Sequence, residues 1–293
     1  MRGVDPMELD SRLDTAWCAA QLADCAVGHT LMCYSTVDST MIVAAQLARD
    51  PATRSGTVVV ADWQSAGRGR RGRSWETPPG CALLLSVLLK PLACALPPTH
   101  ATMAAGLALV EAVADCAPEL ATRLWLKWPN DLLVGAAPAR AAKAAGILTE
   151  AIWHGDGTLA ALVVGIGVNV NQTRDQLPPP SMAHATSLRL EAGRPLARGP
   201  LLVSLCERLA VWSAQAPAPV LAAWRGRLAT LGQVVAVYSD GLDAPPTLRG
   251  RAVEVDADGA LVVEDYAGGR HVVHAADVAL RTDELAEDGA QTG

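Results

Sequence analysis

Two short apolar runs separated by a cationic loop place the tightest constraint on this chain. Residues 57–61 read Thr-Val-Val-Val-Ala, and residues 81–89 read Cys-Ala-Leu-Leu-Leu-Ser-Val-Leu-Leu. Both are short for helices, and their apolar content between turn-forming residues marks them as buried strands. Between them lies Gly67-Arg68-Gly69-Arg70-Arg71-Gly72-Arg73. The fold must therefore carry a glycine- and arginine-rich loop between two strands of its core.

The remaining periodicity fills in an α+β chain. Apolar spacing predicts helices over 9–27, 41–48, 99–116, 201–212 and 220–231, with Asp38 or Ser39 as N-cap of the second. Strands are predicted from residue 30 and over 124–127, 132–134, 146–152 and 159–170, completing an antiparallel sheet. Beyond Gly232 the texture changes to short alternating segments, 234–238, 249–255, 260–263 and 271–274, separated by Asp-Gly and Gly-Gly turns. That is the pattern of a small all-β barrel. We expect an N-terminal extension over 1–30, a catalytic-sized domain over 31–231, the barrel over 232–283 and a tail over 284–293.

Composition narrows the function. A chain of 293 residues that is 51% hydrophobic and 18% charged can bury one large core and a smaller one. Its net charge of −6 argues against a surface built throughout for nucleic acid, which needs a positive field. Phe is absent, so Leu, Val, Ala and the eight Trp must fill the core. The seven cysteines form no C-x-x-C pair, which fits a reducing compartment. No stretch resembles a signal sequence or a membrane span of roughly 20 apolar residues, so a cytoplasmic location is expected.

Three clusters can carry chemistry. In the arginine loop, glycines open the backbone for close approach to a phosphate, and guanidinium forks suit phosphoryl or carboxylate oxygens. On composition alone, a solvated basic loop or an RNA-contacting segment competes with that reading. Lys127-Trp128-Pro129-Asn130-Asp131 sets a cation, an amide and a carboxylate at a strand end, although Asn and Asp there are commonly turn formers. Gly165-Ile166-Gly167-Val168-Asn169-Val170-Asn171 puts small residues and amides on a strand, where glycines mark a bulge or the close approach of backbone or ligand. Cys81 reads as a buried small hydrophobe. His271 and His274 lack the Cys or carboxylate support of a metal site and read as barrel residues.

Taken together and in order, with Asp38-Ser39-Thr40 ahead and Lys143-Ala144-Ala145-Gly146-Ile147-Leu148-Thr149-Glu150 between the last two, these clusters resemble the biotin protein ligase family. The resemblance runs from about Tyr34 to Arg281. It implies a mixed, mostly antiparallel sheet flanked by helices, of the class II synthetase-like biotin/lipoate ligase type, with a small C-terminal SH3-like barrel. It implies a form without the N-terminal DNA-binding domain that some members carry, since the roughly thirty residues ahead of residue 31 are few and not basic. Biotin and ATP are the implied substrates with Mg2+, and the implied partner is the biotin carboxyl carrier protein or domain of a biotin-dependent carboxylase. No DNA or membrane partner is implied, and either a monomer or a homodimer fits.

Carried onto this chain, the resemblance implies that Ser39, Thr40 and Gln64 hydrogen-bond the biotin head, with Met41 at a backbone contact. Gly67, Arg68, Gly69 and Arg70 would order over biotin and its adenylate, and Lys143 would meet the biotin carboxylate and the α-phosphate. Gly146 and Gly165 would line the biotin slot. Trp75, Asn130, Asp131 and Asn169 would face the nucleotide or its magnesium, Asp131 as the metal ligand, and Arg281 would reach toward ATP or the acceptor. Arg68, Arg70, Lys127 and Lys143 supply the cations of catalysis. Arg71 and Arg73 are expected to turn to solvent or to structural partners, and the loop is expected to be mobile in the empty enzyme.

The chain departs from the family in two places. The connection 132–142 is longer than usual, which leaves Arg140 able to share the role of Lys143, and Met41 stands where many members have asparagine. Three rival readings lack their own signatures. A lipoate or octanoate ligase would carry an Arg-Arg-x-x-Gly-Gly-Gly pattern, absent here; a repressor needs a helix-turn-helix; and a catalytically dead biotin binder would not need Lys127, Asn130, Asp131 and Asn169.

Overall fold

The computed structural model describes residues 13–91, 94–179, 184–239 and 244–280. A short helix α1 (Thr15–Gln21) precedes β1 (Leu31–Val37), α2 (Thr40–Ala48), β2 (Val58–Gln64) and β3 (Ala82–Leu89). The long helix α3 (Pro98–Cys116) leads to β4 (Leu124–Lys127), β5 (Asp131–Val134), β6 (Ala142–Trp153) and β7 (Leu159–Asn169). Helices α4 (Leu188–Ala192), α5 (Arg198–Ser213) and α6 (Pro217–Arg225) follow, then β8 (Val234–Tyr238), β9 (Leu248–Val255), β10 (Leu261–Glu264), β11 (Arg270–Val273) and β12 (Asp277–Leu280).

The first seven strands form one sheet in the order β1-β2-β3-β7-β6-β5-β4. Only β1 and β2 run parallel, joined through α2; the other neighbours are antiparallel. Every residue of β3 is buried, because this strand lies near the middle of the sheet with apolar cover on both faces. Most of the hydrophobic core, with α3 and α5, packs on one face. On the other, α2 covers only part of β2, β3 and β7 through Met41, Ala44 and Ala48. The uncovered remainder of that face carries the site.

The last five strands form a second, wholly antiparallel sheet in the order β11-β10-β9-β8-β12. Its turn at Gly259 is joined to the first sheet by Trp128, whose buried indole N–H donates to the Gly259 carbonyl at 3.0 Å. The Trp128 backbone N–H donates to Thr230 Oγ1 at 2.9 Å.

The differences from the sequence reading are local. Helix α1 is shorter than its apolar spacing suggested and α6 stops at Arg225, where turns take over. The short helix α4, capped by the Ser187 hydroxyl, and the four-residue strand β12 escaped notice because neither is long enough to show a period. Ser39 rather than Asp38 is the N-cap of α2, in extended backbone and without a side-chain bond to the helix.

Candidate active site

A single cleft of about 1430 Å³ runs over the uncovered face of the first sheet, from Ser39 at one end to β12 of the second sheet at the other. That exceeds the ~300–1,000 Å³ of a typical small-ligand pocket and leaves room for two joined substrates. All the expected site residues line it except Gly67, which lies behind, and Arg281, which falls outside the described residues.

At the α2 end the lining is neutral. Ser39 and Thr40 are buried at the helix start. The Thr40 N–H donates to Gln64 Oε1 at 2.8 Å and the Thr40 hydroxyl to the same oxygen at 3.1 Å. Met41 lies over Gly165: a Cβ there would come within 2.7 Å of the Met41 Sδ.

The middle of the cleft is a floor of glycine. Gly146 and Gly167 are cross-strand partners on β6 and β7, and the Trp75 indole lies on them. A Cβ at Gly167 would sit 2.7 Å from Trp75 Cε2. Gly165 and Gly167 share this face because strand side chains alternate.

The charged end depends on a bulge. Lys143 lies three residues before Gly146, and in a regular strand that odd separation would send it through to the opposite face. The β5–β6 register shifts between Leu132 and Leu133, which pair with Ala145 and Lys143. The extra residue returns Lys143 to the site face, its Nζ 3.3 Å from a Cβ placed on Gly146 and 5.5 Å from the Trp75 ring centre. The backbone of Lys143 is tied to the wall of the cleft at residues 184–186, donating to the His184 carbonyl at 2.8 Å and accepting from the Thr186 N–H at 2.9 Å.

Asp131 sits between two ammonium groups, 2.6 Å from Lys143 Nζ and 4.0 Å from Lys127 Nζ. Burial alone would raise its carboxyl pKa, but Lys143 and then Lys127 outweigh that and hold it below the usual range. Burial pushes the Lys127 ammonium down, opposed by Asp131. Among the described residues no group of three or more His, Cys, Asp or Glu could hold a metal. Asp131, expected as the magnesium ligand, stands in the structure as a counter-ion for two lysines. One carboxylate falls short of the donor set of a resident metal site.

The arginine loop forms a small hairpin across the cleft. Arg68 pairs with Ser74, the Gly69 N–H donates to the Arg73 carbonyl at 2.7 Å and the Trp75 N–H to the Gly67 carbonyl at 2.9 Å. Gly67 is required by close approach, since a Cβ would fall 2.3 Å from the Trp75 carbonyl oxygen. Arg71 and Gly72 make the tip, with φ of 57° and 72°. Arg68 meets Glu150 at 3.2 Å. Arg70, its pKa lowered by burial against the pull of Asp277 and Asp131, donates to Asn130 Oδ1 and to the Ala276 carbonyl, both at 3.4 Å. Arg71 donates to the Tyr238 carbonyl at 3.1 Å, and Arg73 meets Asp277 at 2.5 Å. Structural partners thus hold Arg71 and Arg73, and they come from the second sheet.

Asn130 is fastened by its amide to the Ile147 carbonyl at 2.6 Å. Asn169 is more committed than expected: it donates to the Thr186 carbonyl and accepts from Gln172, both at 3.0 Å, so much of its amide braces the cleft wall. Arg140 lies exposed at the rim and makes no ion pair among the described residues, whereas Lys143 stands at the centre. Cys81 is partly rather than fully buried, near Gln176. His271 meets Asp265 at 2.6 Å on the exposed β10–β11 hairpin, and His274 is exposed. The sequence reading gave no individual site role to Asp277, Glu150 or Gly167, although the last two lie inside its motifs. Gly167 is marked by the two-residue spacing to Gly165; Asp277 had no signal.

Comparisons with known proteins agree with this geometry. Residues 33–169 match the model of the biotin/lipoate A/B protein ligase family. The biotin–[acetyl-CoA-carboxylase] ligase of Paracoccus denitrificans is 35% identical over 247 residues, covering 82% of this chain and 96% of that protein. The bifunctional ligase/repressor BirA of Bacillus subtilis is 30% identical over 258 residues, covering 87% and 75%. Among solved structures, a biotin protein ligase from Aquifex aeolicus in complex with biotin and ATP superposes with a TM-score of 0.69 at 25% identity, over 86% of this chain and 99% of that one. With these alignments over most of its length, the chain belongs to the biotin protein ligases of the biotin/lipoate A/B protein ligase family.

Proposed function

We propose that this chain activates biotin with ATP as biotinyl-5'-adenylate, releasing pyrophosphate, and transfers the biotinyl group to a lysine of a biotin carboxyl carrier domain, releasing AMP. The observation that carries this reading is the sequence of environments along one cleft: a neutral hydrogen-bonding end, a glycine floor under an indole, and a cluster of cations.

In the first step a carboxylate attacks an α-phosphate, and both are anions. Fixed positive charge and positioning therefore do most of the work. Thr40 and Gln64 hold the biotin head, with Ser39 and Met41 closing that end. The valeryl chain crosses the glycine floor between Met41, packed on Gly165, and Trp75, packed on Gly146. Lys143, which rests on Asp131 in the structure, takes the carboxylate and the α-phosphate, and Asp131 retains Lys127 as its partner. Arg68, Gly69 and Arg70 close over the adenylate and keep water from the mixed anhydride, with Gly67 at the base of the hairpin. Trp75, Asn130 and Asn169 face the nucleotide. In the second step the acceptor lysine attacks the anhydride carbonyl and AMP leaves.

The domain division at about residue 231 goes with this reading, the second sheet bracing the arginine hairpin. Among the described residues no helix is long and apolar enough to cross a membrane. The test is to incubate the purified chain with ATP, magnesium, biotin and a biotin carrier domain, with lipoate as competitor. Biotinylated carrier, undiminished by lipoate, is the expected product; no biotinylation, or equal use of lipoate, would sink the assignment.

A further inference from the structure

We infer that Ser86, which lies outside every motif of the site, is a positioning residue that completes and holds in place the directed hydrogen-bond chain at the head-group end of the cleft. This rests on the function proposed above. Ser86 is fully buried on β3, opposite Gly165 of β7, and does not line the cleft. Its hydroxyl lies 2.8 Å from Thr40 Oγ1.

The direction of each bond follows from one group that cannot be turned round. The Thr40 backbone N–H can only donate, and it lies 2.8 Å from Gln64 Oε1, which fixes that side-chain amide with its oxygen toward Thr40. The Thr40 hydroxyl, 3.1 Å from the same oxygen, must spend its one proton there. Toward Ser86 it can then only accept, so Ser86 donates. The chain reads Ser86 to Thr40 to Gln64.

Two consequences reach the ligand. The Thr40 hydroxyl keeps a lone pair but no proton, and the Gln64 amide turns its NH2 away from Thr40. The edge offered to a ligand is an acceptor beside a donor. That pair complements the adjacent N–H and C=O of a cyclic urea and mismatches a guanidine, which presents N–H at both positions. Met41, packed over Gly165, closes this end, so a lost Ser86 hydroxyl leaves the Thr40 oxygen with an unmet bond beneath the cleft.

The test measures pyrophosphate release with biotin and with 2-iminobiotin, whose ureido oxygen is replaced by nitrogen. Ser86→Ala is expected to raise KM for biotin about tenfold, leave KM for ATP and kcat within about twofold, and narrow the preference for biotin over 2-iminobiotin. The near-isosteric Ser86→Cys, a weaker donor, should fall between Ser and Ala. Gln64→Glu leaves Ser86 in place and replaces the outward donor with an acceptor, so it should reverse the preference even if Ser86→Ala fails to fold. Equal changes in KM for biotin and ATP, or a Cys variant indistinguishable from the parent, would each overturn the role of Ser86, and an unchanged preference in Gln64→Glu would overturn the donor edge on which the chain ends. A parent protein that releases no pyrophosphate from biotin and ATP would overturn the proposed function, and this inference with it.

Discussion

The two ends of the cleft are built on opposite principles. At the α2 end, the proposed recognition rests on neutral groups that bond the start of α2 to β2, Thr40 to Gln64 at 2.8 Å, with Met41 packed above. At the far end it rests on charge: Lys143 and Lys127 on Asp131, and an arginine hairpin held by carbonyls and a carboxylate of a separate sheet. The neutral end has its hydrogen bonds made internally and, on the proposed function, discriminates by shape and bond direction. The charged end has substitutes for its ligand built in, since Asp131 holds Lys143 where a substrate anion would. Selectivity should therefore be lost by small changes at the first end, and rate by charge removal at the second.

The largest effect is expected from Lys143→Ala, which removes the central cation. By analogy with deletion of an oxyanion-hole donor, single-turnover adenylate formation should fall about 10²–10³-fold. Arg70→Ala should follow the same direction. A Lys143→Ala enzyme within a few fold of the parent would mean that Arg140 supplies the charge. Gly167→Ala comes next. Its new methyl meets the Trp75 indole, so KM for ATP should rise about tenfold while KM for biotin changes little, because a buried steric clash of this kind costs on the order of 1–3 kcal/mol. A rise in the biotin KM alone would move Trp75 out of the nucleotide's half of the cleft.

Asp277→Asn tests whether the second sheet positions the hairpin. Arg73 is half exposed at its ion pair, so the loss in stability should be small, and the expected sign is a rise of roughly two- to fivefold in release of adenylate to solvent, as for a partly screened pair. Retention identical to the parent would leave the barrel without a part in closure. Asp131 adds a pH signature. Its carboxyl is held below the usual range, so its contribution to stability is complete above the unfolded value near pH ~4 and is lost as pH falls through the folded value. The parent should lose more melting temperature between pH 7 and pH 3 than Asp131→Asn does; equal losses would contradict the ion-pair account. Cys81→Ala should leave adenylate formation within about twofold, as expected away from the charged groups.

Most of the sheet could be read in advance because its strands are apolar runs bounded by Gly and Pro, and β3 is buried along its whole length. The site motifs were legible for a different reason: Gly165 and Gly167 keep a fixed spacing within one strand, and Lys127 and Asp131 keep one across a single tight turn. What stayed hidden depends on contacts between distant segments. The bulge that turns Lys143 to the site face is a property of the β5–β6 pairing, not of residues 142–146 alone. Asp277 sits on a strand of four residues and meets Arg73 across 204 positions. The bonds that Asn169 makes to Thr186 and Gln172, which use part of its amide, likewise have no signal in its own motif.

The division of the cleft into a neutral head-group end and a cationic acid end is tested most directly by a double-mutant cycle in binding. Biotin and biotin methyl ester would be titrated, without ATP, against the parent, Lys143→Ala and Gln64→Ala. The account predicts that the ester binds the parent about tenfold more weakly than biotin, that Lys143→Ala abolishes this difference, and that Gln64→Ala weakens both ligands equally. A carboxylate penalty that survives Lys143→Ala and disappears in Gln64→Ala would contradict it.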